Sequence, residues 1–167
     1  MAGQGTIESL VGLFPDAQLS PSEFRGQTRV VIRRDAIYET LEALRNRLGF
    51  DLLIDITCVD YLNYRHATDR FGLVYLLANR DENERITLRV YLNEPHLSVR
   101  SAVPLWEGAN WLEREVYDMF GIRFDGHPDL RRILLPEAFT AHPLRKDYPL
   151  QGRGERHNFP VLTRGDG

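Results

Sequence analysis

Cysteine is nearly missing from this chain: Cys58 is the single one in 167 residues. No internal disulfide can form, and four thiolates for an ordinary iron–sulfur cluster cannot come from this chain alone. Cys58 lies in the apolar segment Ile54 to Val59 and reads as a buried, inert core thiol rather than a nucleophile. Long apolar runs are lacking as well. Stretches such as Leu73 to Ala78 reach strand length, whereas a membrane-spanning helix needs about 20 apolar residues in a row. Met1 to Glu8 has no basic segment followed by an apolar stretch and a small-residue cleavage site, so no secretory signal is expected and the chain is expected in the cytoplasm. An excess of positive charge is missing too: the formal net charge is -3, which argues against capture of nucleic acid.

What is present looks like an ordinary folded domain. Apolar residues make up 43% and charged residues 27% of the chain, and 167 residues suit one domain with one core. The first clear strand signal is Thr28 to Ile32. It leads into a predicted helix, Ala36 to Leu48, with Asp35 as N-cap, Gly49 just past the end, and Ile37, Leu41, Leu44 and Leu48 along one face. Three β segments follow, Leu52 to Tyr61, Gly72 to Ala78 and Arg85 to Leu92. The last alternates, Ile86, Leu88, Val90 and Leu92 one way and Thr87, Arg89 and Tyr91 the other, so one side of the sheet faces solvent or a partner. A second helix is expected from about Gly108 to Phe120, with Ala109, Leu112, Val116 and Met119 as its apolar stripe and Gly121 as its stop. This order predicts an α+β fold: a mostly antiparallel sheet of about four strands packed with two main helices. From Arg123 onward, prolines and glycines break any long element. The division expected is a core over residues 1–122 and an extended C-terminal arm over 123–167 that needs a host surface.

The densest polar cluster is Glu113, Arg114, Glu115 and Asp118 on the second helix. Its ordinary reading is a solvated face on which Arg114 and Asp118, four apart, pair across a turn. Its sharper reading rests on the neighbouring Trp106, Trp111, Tyr117 and Phe120, beside which such charges would be desolvated and bonded to a partner. Two further clusters, His127 to Arg132 and His142 to Tyr148, each set a histidine before a proline, which keeps it extended. HExxH, paired-histidine and CxxC spacings are absent, so His127, His142, Glu113 and Glu115 make poor metal ligands. Glu115 and His127 have the chemistry of a general acid/base pair, but no nucleophile motif accompanies them. Gly152 to His157 opens like a phosphate-binding glycine loop, yet His157 stands where the third glycine belongs and prolines flank it, so NADH is not expected there. The arginines and lysine of the arm alternate with acidic residues and lack an aromatic stacking platform, which favours protein partners over RNA.

The stretch Glu113-Arg114-Glu115-Val116-Tyr117-Asp118-Met119-Phe120-Gly121-Ile122, followed by Gly126-His127-Pro128-Asp129-Leu130-Arg131-Arg132, closely resembles the signature of the C subunit family of bacterial NADH-quinone oxidoreductase, respiratory complex I. Ile133-Leu134 directly after it, Pro136-Glu137 and the run His142 to Pro149 resemble it too, and Asp55 to Tyr61 upstream looks like the family's strand ending in Val-Asp-Tyr. The resemblance implies an α+β subunit of the enzyme's hydrophilic arm, peripheral on the cytoplasmic side of the membrane. It implies no cofactor in this chain, with FMN, iron–sulfur clusters and quinone held by partner subunits. The partners implied are the large quinone-site subunit and the terminal iron–sulfur subunit. Glu113, Arg114, Glu115, Asp118, His127, Arg131 and Arg132 match the first motif, and Arg145, Lys146, Asp147 and Tyr148 the second. Their implied work is locking the junction of helix and arm and docking, not catalysis. Related domains occur in membrane-bound hydrogenases and ferredoxin-plastoquinone oxidoreductases, and some relatives are fused to the large subunit, whereas this chain is expected to assemble as a separate polypeptide.

Overall fold

The computed structural model describes residues 4–155. Along the chain run α1 (Gln4–Leu13), β1 (Ser20–Phe24), β2 (Gln27–Ile32), α2 (Ile37–Arg47), β3 (Leu52–Asp60), β4 (Phe71–Asn79), β5 (Glu84–Leu92), β6 (Ser98–Arg100), α3 (Ala109–Phe120) and β7 (Arg123–Asp125). Five strands form one sheet in the order β1-β2-β5-β4-β3. Its pairs are antiparallel except β2 with β5, which run parallel. The class is α+β and the sheet mostly antiparallel, as expected, but the sheet has a fifth strand and the helices number three among the described residues.

The period-2 pattern places every inner-face residue. Register pairs Val30 with Leu88, Leu88 with Tyr75 and Tyr75 with Ile56, so alternate residues of four strands point to one side. There they meet Ile37, Leu41 and Leu44 of α2, Val116, Met119 and Phe120 of α3, and Leu10 of α1 in one continuous core. β4 is the most enclosed strand, with Phe71, Leu73, Tyr75 and Leu77 all 0% exposed. Cys58 sits in the same core, and burial pushes its thiol up to about 12, as suits an unreactive side chain.

Two local features differ from the expectation. Asp35 does not cap α2: a 3₁₀ turn, Arg34–Ala36, leads into the helix, and Asp35 pairs with Arg33 instead. The strand β1 was not signalled because all five of its residues are exposed, so it has no alternation to read, and Pro21 is tolerated only because this is an edge strand. Its link to β2 is the two-residue turn Arg25-Gly26, both at positive φ, which matches the twist of a tight hairpin.

The expected boundary at residue 122 falls just before β7, which pairs in parallel with β6. Ile122 and Phe124 are buried, so this segment belongs to the same core. Beyond it the chain has the irregular course that its prolines dictate, and residues 130–148 run back along α3. The end of the expected arm, 156–167, lies outside the described residues.

Candidate functional site

Helix α3 carries the charge cluster, and three of its four charged residues point inward. Glu113 and Asp118 are 0% exposed and Arg114 is 7% exposed, while Glu115 is exposed. A solvated face is therefore wrong for Glu113, Arg114 and Asp118, and right for Glu115. The expected Arg114–Asp118 pair across one turn does not form. Each residue turns instead towards a different part of the returning chain, because buried groups take whatever partner satisfies their geometry most completely.

Asp118 is the centre of the site. One carboxylate oxygen, Oδ2, accepts the backbone N–H groups of Ile133, Leu134 and Leu135 at 3.0, 2.8 and 2.9 Å. The other, Oδ1, accepts Nη1 of Arg132 at 2.6 Å. Burial works against its charge, but these four donors outweigh burial and hold the carboxyl below its ordinary value. The backbone carbonyl of Asp118 is engaged as well, accepting Nδ1–H of His142 at 3.0 Å. That bond places a proton on Nδ1, and burial lowers the ring's pKa against the opposing pull of this bond.

The remaining carbonyls at the C-terminal end of α3 are capped by the arm, as free helix ends require. Arg145 donates Nε to the Phe120 carbonyl at 2.6 Å and Nη1 to Glu94 at 2.9 Å. The Leu144 N–H reaches the Met119 carbonyl at 3.2 Å. Gly121, left-handed at φ 77°, ends the helix and leaves room for this contact: a Cβ there would lie 2.6 Å from His142 Nε2 and 2.9 Å from Arg145 Nη2. Arg114 donates Nε and Nη2 to the carbonyls of Arg131 and Arg132, each at 3.1 Å, with its guanidinium over the Trp111 ring. Arg131 itself is exposed and pairs with Asp129 at 2.8 Å.

The second motif is tied down at the end of β3. Asp60, buried, accepts the Lys146 N–H at 2.8 Å and the Leu62 N–H at 3.0 Å. Arg70 bridges Asp60 and Asp147 at 3.4 and 2.8 Å, and the Arg70 hydrogen bond holds the Asp147 carboxyl below its usual range. Tyr148 packs its ring against Phe139, 5.9 Å between centroids, while the Lys146 side chain is exposed. Asp60 and Arg70 were not singled out in the sequence; only the Val-Asp-Tyr resemblance touched Asp60, and Arg70 carried no local signal.

Glu113 has a separate environment under the 101–103 turn. Its carboxylate accepts the Ser101 hydroxyl at 2.7 Å and the Ala102 N–H at 2.6 Å. Burial nonetheless raises its pKa to about 7, with those two bonds opposing the shift. The nearby hydroxyl of buried Tyr75 has no hydrogen-bond partner, and burial followed by the Glu113 charge raises its pKa well above normal. His127 Nε2 lies 4.0 Å from Glu113 and 3.2 Å from the Asn110 carbonyl, while Nδ1 accepts the Asp129 N–H at 3.0 Å. The acid/base pairing of Glu115 with His127 is not formed: Glu115 is exposed, and both ring nitrogens of His127 are engaged. What this arrangement does chemically is fasten irregular chain to a helix.

A family model, respiratory-chain NADH dehydrogenase, 30 Kd subunit, matches residues 30–154 of this chain. The NADH-quinone oxidoreductase C subunit of Trichlorobacter lovleyi is 45% identical over 148 residues, 89% of this chain and 90% of its own. That of a Roseiflexus species is 45% identical over 146 residues, 86% of this chain and 82% of its own. Among solved structures, a trypsin-resistant fragment of Nqo5, residues 1–134, superposes with TM-score 0.67 at 35% identity, covering 74% of this chain and 98% of the fragment. The structure of a membrane-bound sulfane sulfur reductase, an archaeal respiratory membrane complex, gives TM-score 0.75 at 20% identity, covering 99% of this chain and 95% of that one, and shares the fold. The chain thus belongs to the respiratory-chain NADH dehydrogenase 30 Kd subunit family. Its relatives are the C subunits of a quinone-reducing respiratory NADH dehydrogenase, complex I.

Two outcomes follow from the geometry. Because the folded pKa of Glu113 lies above its unfolded value, its effect on stability is most favourable below about pH 4.5 and is lost as pH rises through about 7. Glu113→Gln should therefore gain on the parent by up to ~3 kcal/mol between those limits, read from urea midpoints across pH; a pH-independent difference would contradict a raised pKa. Asp118→Ala leaves three backbone N–H groups without an acceptor and Arg132 without its carboxylate. Trypsin cleavage after Arg131 and Arg132 should then accelerate at least about tenfold while the core keeps its circular dichroism.

Proposed function

We propose that this chain is a non-redox structural subunit in the hydrophilic arm of a proton-translocating NADH-quinone oxidoreductase, peripheral on the cytoplasmic side of the membrane. Its work is to dock against the large quinone-site subunit and the terminal iron–sulfur subunit, so that electrons passing from NADH to quinone travel through them. FMN, the clusters and the quinone belong to those partners on this reading. One cysteine, buried and held as a thiol, cannot supply a cluster's ligands. No helix among the described residues is long and apolar enough to cross a membrane.

One observation carries the reading. The charged side chains at the junction, Asp118, Arg114, Arg132 and Arg145, are bonded within the chain, and large apolar side chains stand outward beside them: Trp111 is 61% exposed, Leu134 60% and Leu144 50%, while Leu150 is fully exposed. A prefastened ribbon presenting apolar side chains is suited to lie on another polypeptide, since ordering it beforehand lowers the entropy lost on binding. The signature residues then act at one remove. Asp118, Arg132, Arg145 and Arg114 shape the ribbon, Glu113 and His127 brace its base, and Lys146, Asp147 and Tyr148 set its far end.

The triple variant Leu134→Asp, Leu144→Asp, Leu150→Asp separates docking from folding. The isolated chain should unfold at nearly the parent temperature, because these side chains touch mainly solvent. Its recovery in the purified, quinone-reducing complex should fall by about tenfold or more. Assembly and NADH-quinone activity at parental levels would remove the basis for the reading.

A further inference from the structure

The sheet has a second face, and among the described residues no helix covers it. The three helices place their buried residues in the core on the inner side. On the opposite side the register aligns Val31, Arg89, Val74 and Thr57 in one row across β2, β5, β4 and β3. The next row aligns Arg29 with Thr87 and Leu76, ending at Asp55 on the edge strand. Strand spacing and rise set Arg29 and Arg89, diagonal neighbours, roughly 8 Å apart. Arg29 stacks on the Phe24 ring at 4.5 Å. No carboxylate among the described residues pairs with either arginine, and the Arg89 Nε is buried without an acceptor. A buried guanidinium donor left unbonded beside half-buried Val31 is a costly arrangement in a free domain, and one that an incoming acceptor resolves.

We propose that this outer sheet face is a second docking surface, distinct from the arm, and that it takes an acidic segment of another subunit of the complex, whose carboxylate bonds Arg89 and whose apolar flanks cover the half-buried Val31 and Leu76. Charge decides among possible occupants. A second copy of this chain would bring the same three arginines, Arg29, Arg85 and Arg89, against their like. The chain's own residues 156–167 carry two arginines and one aspartate, again the wrong sign. An anionic bilayer would be drawn to a denser basic cluster than Arg29, Arg85 and Arg89 spread over three rows with Asp55 at the edge. The inference rests on the proposed role as a docking subunit, and the two can fail separately.

The test uses the assembled complex with a benzoylphenylalanine photoprobe at position 57, exposed in the same row as Arg89, and in a parallel preparation at position 144 on the arm. The probe at 57 should form an adduct with one other subunit, in a peptide containing Asp or Glu. Arg89→Glu should lower that adduct's yield about tenfold or more, Arg89→Lys should keep most of it, and reversing the partner's carboxylate to arginine should restore it to Arg89→Glu. An unreactive probe at 57 where 144 reacts would overturn the sheet-face proposal alone. So would adducts to lipid, to a second copy or to residues 156–167, or a yield indifferent to Arg89→Glu. Silence at both positions would overturn the docking function itself.

Discussion

The carboxylate of Asp118 is the point on which the rest of this molecule turns. Helix α3 has to end, and a run of chain broken by prolines has to begin, and neither can satisfy its own backbone. A single buried anion receives three consecutive N–H groups from the start of the irregular run, together with the guanidinium of Arg132. The carbonyls at the helix end then accept from His142, Leu144 and Arg145 further along. Arm and helix thus complete each other's hydrogen bonding, which is how a segment without regular structure can keep one course over a domain surface.

A division of labour by polarity follows. Asp118, Arg114, Arg132 and Arg145 are turned inward and neutralised locally, while three leucines and a tryptophan stand outward beside them. A reading that assigns signature charges directly to a partner would have the arm attract its host electrostatically; the geometry instead makes them internal fasteners. The outer sheet face is organised the other way, with arginines that find no carboxylate within the described residues. The two surfaces therefore differ in what they ask of a neighbour: one needs apolar cover, the other needs acid.

Much of the fold was legible in the amino-acid order, since β5 alternates without interruption and the spacing of Ile37, Leu41 and Leu44 admits one helical face. The elements that went unread are those whose stability is borrowed. β1 is wholly exposed and exists by pairing with β2. α1 holds Gly5 and Gly12 and is anchored by Leu10 in a core built by distant strands. The short β6 and β7 exist through each other. The parallel pairing of β2 with β5 is a long-range choice that no local pattern announces. At the site, the residue types of α3 and both arm motifs were visible, but their partners were not. Spacing of four suggested Arg114 with Asp118, a worthwhile pair only on a solvated helix; once buried, Asp118 gains more from four converging donors than from one neighbour. Arg70 escaped notice because its role depends on Asp60 and Asp147 being brought together from 10 residues before it and from far along the chain.

The central claim is that the arm is fastened to its own domain before any partner arrives. Amide hydrogen exchange at Ile133, Leu134 and Leu135 in the purified, unpartnered chain addresses it directly. Three bonds to one carboxylate predict protection of at least about a hundredfold over the unstructured rate, an opening free energy near ~2.7 kcal/mol, collapsing in Asp118→Ala. Exchange at the unstructured rate in the parent chain would mean that the partner, not Asp118, shapes the arm.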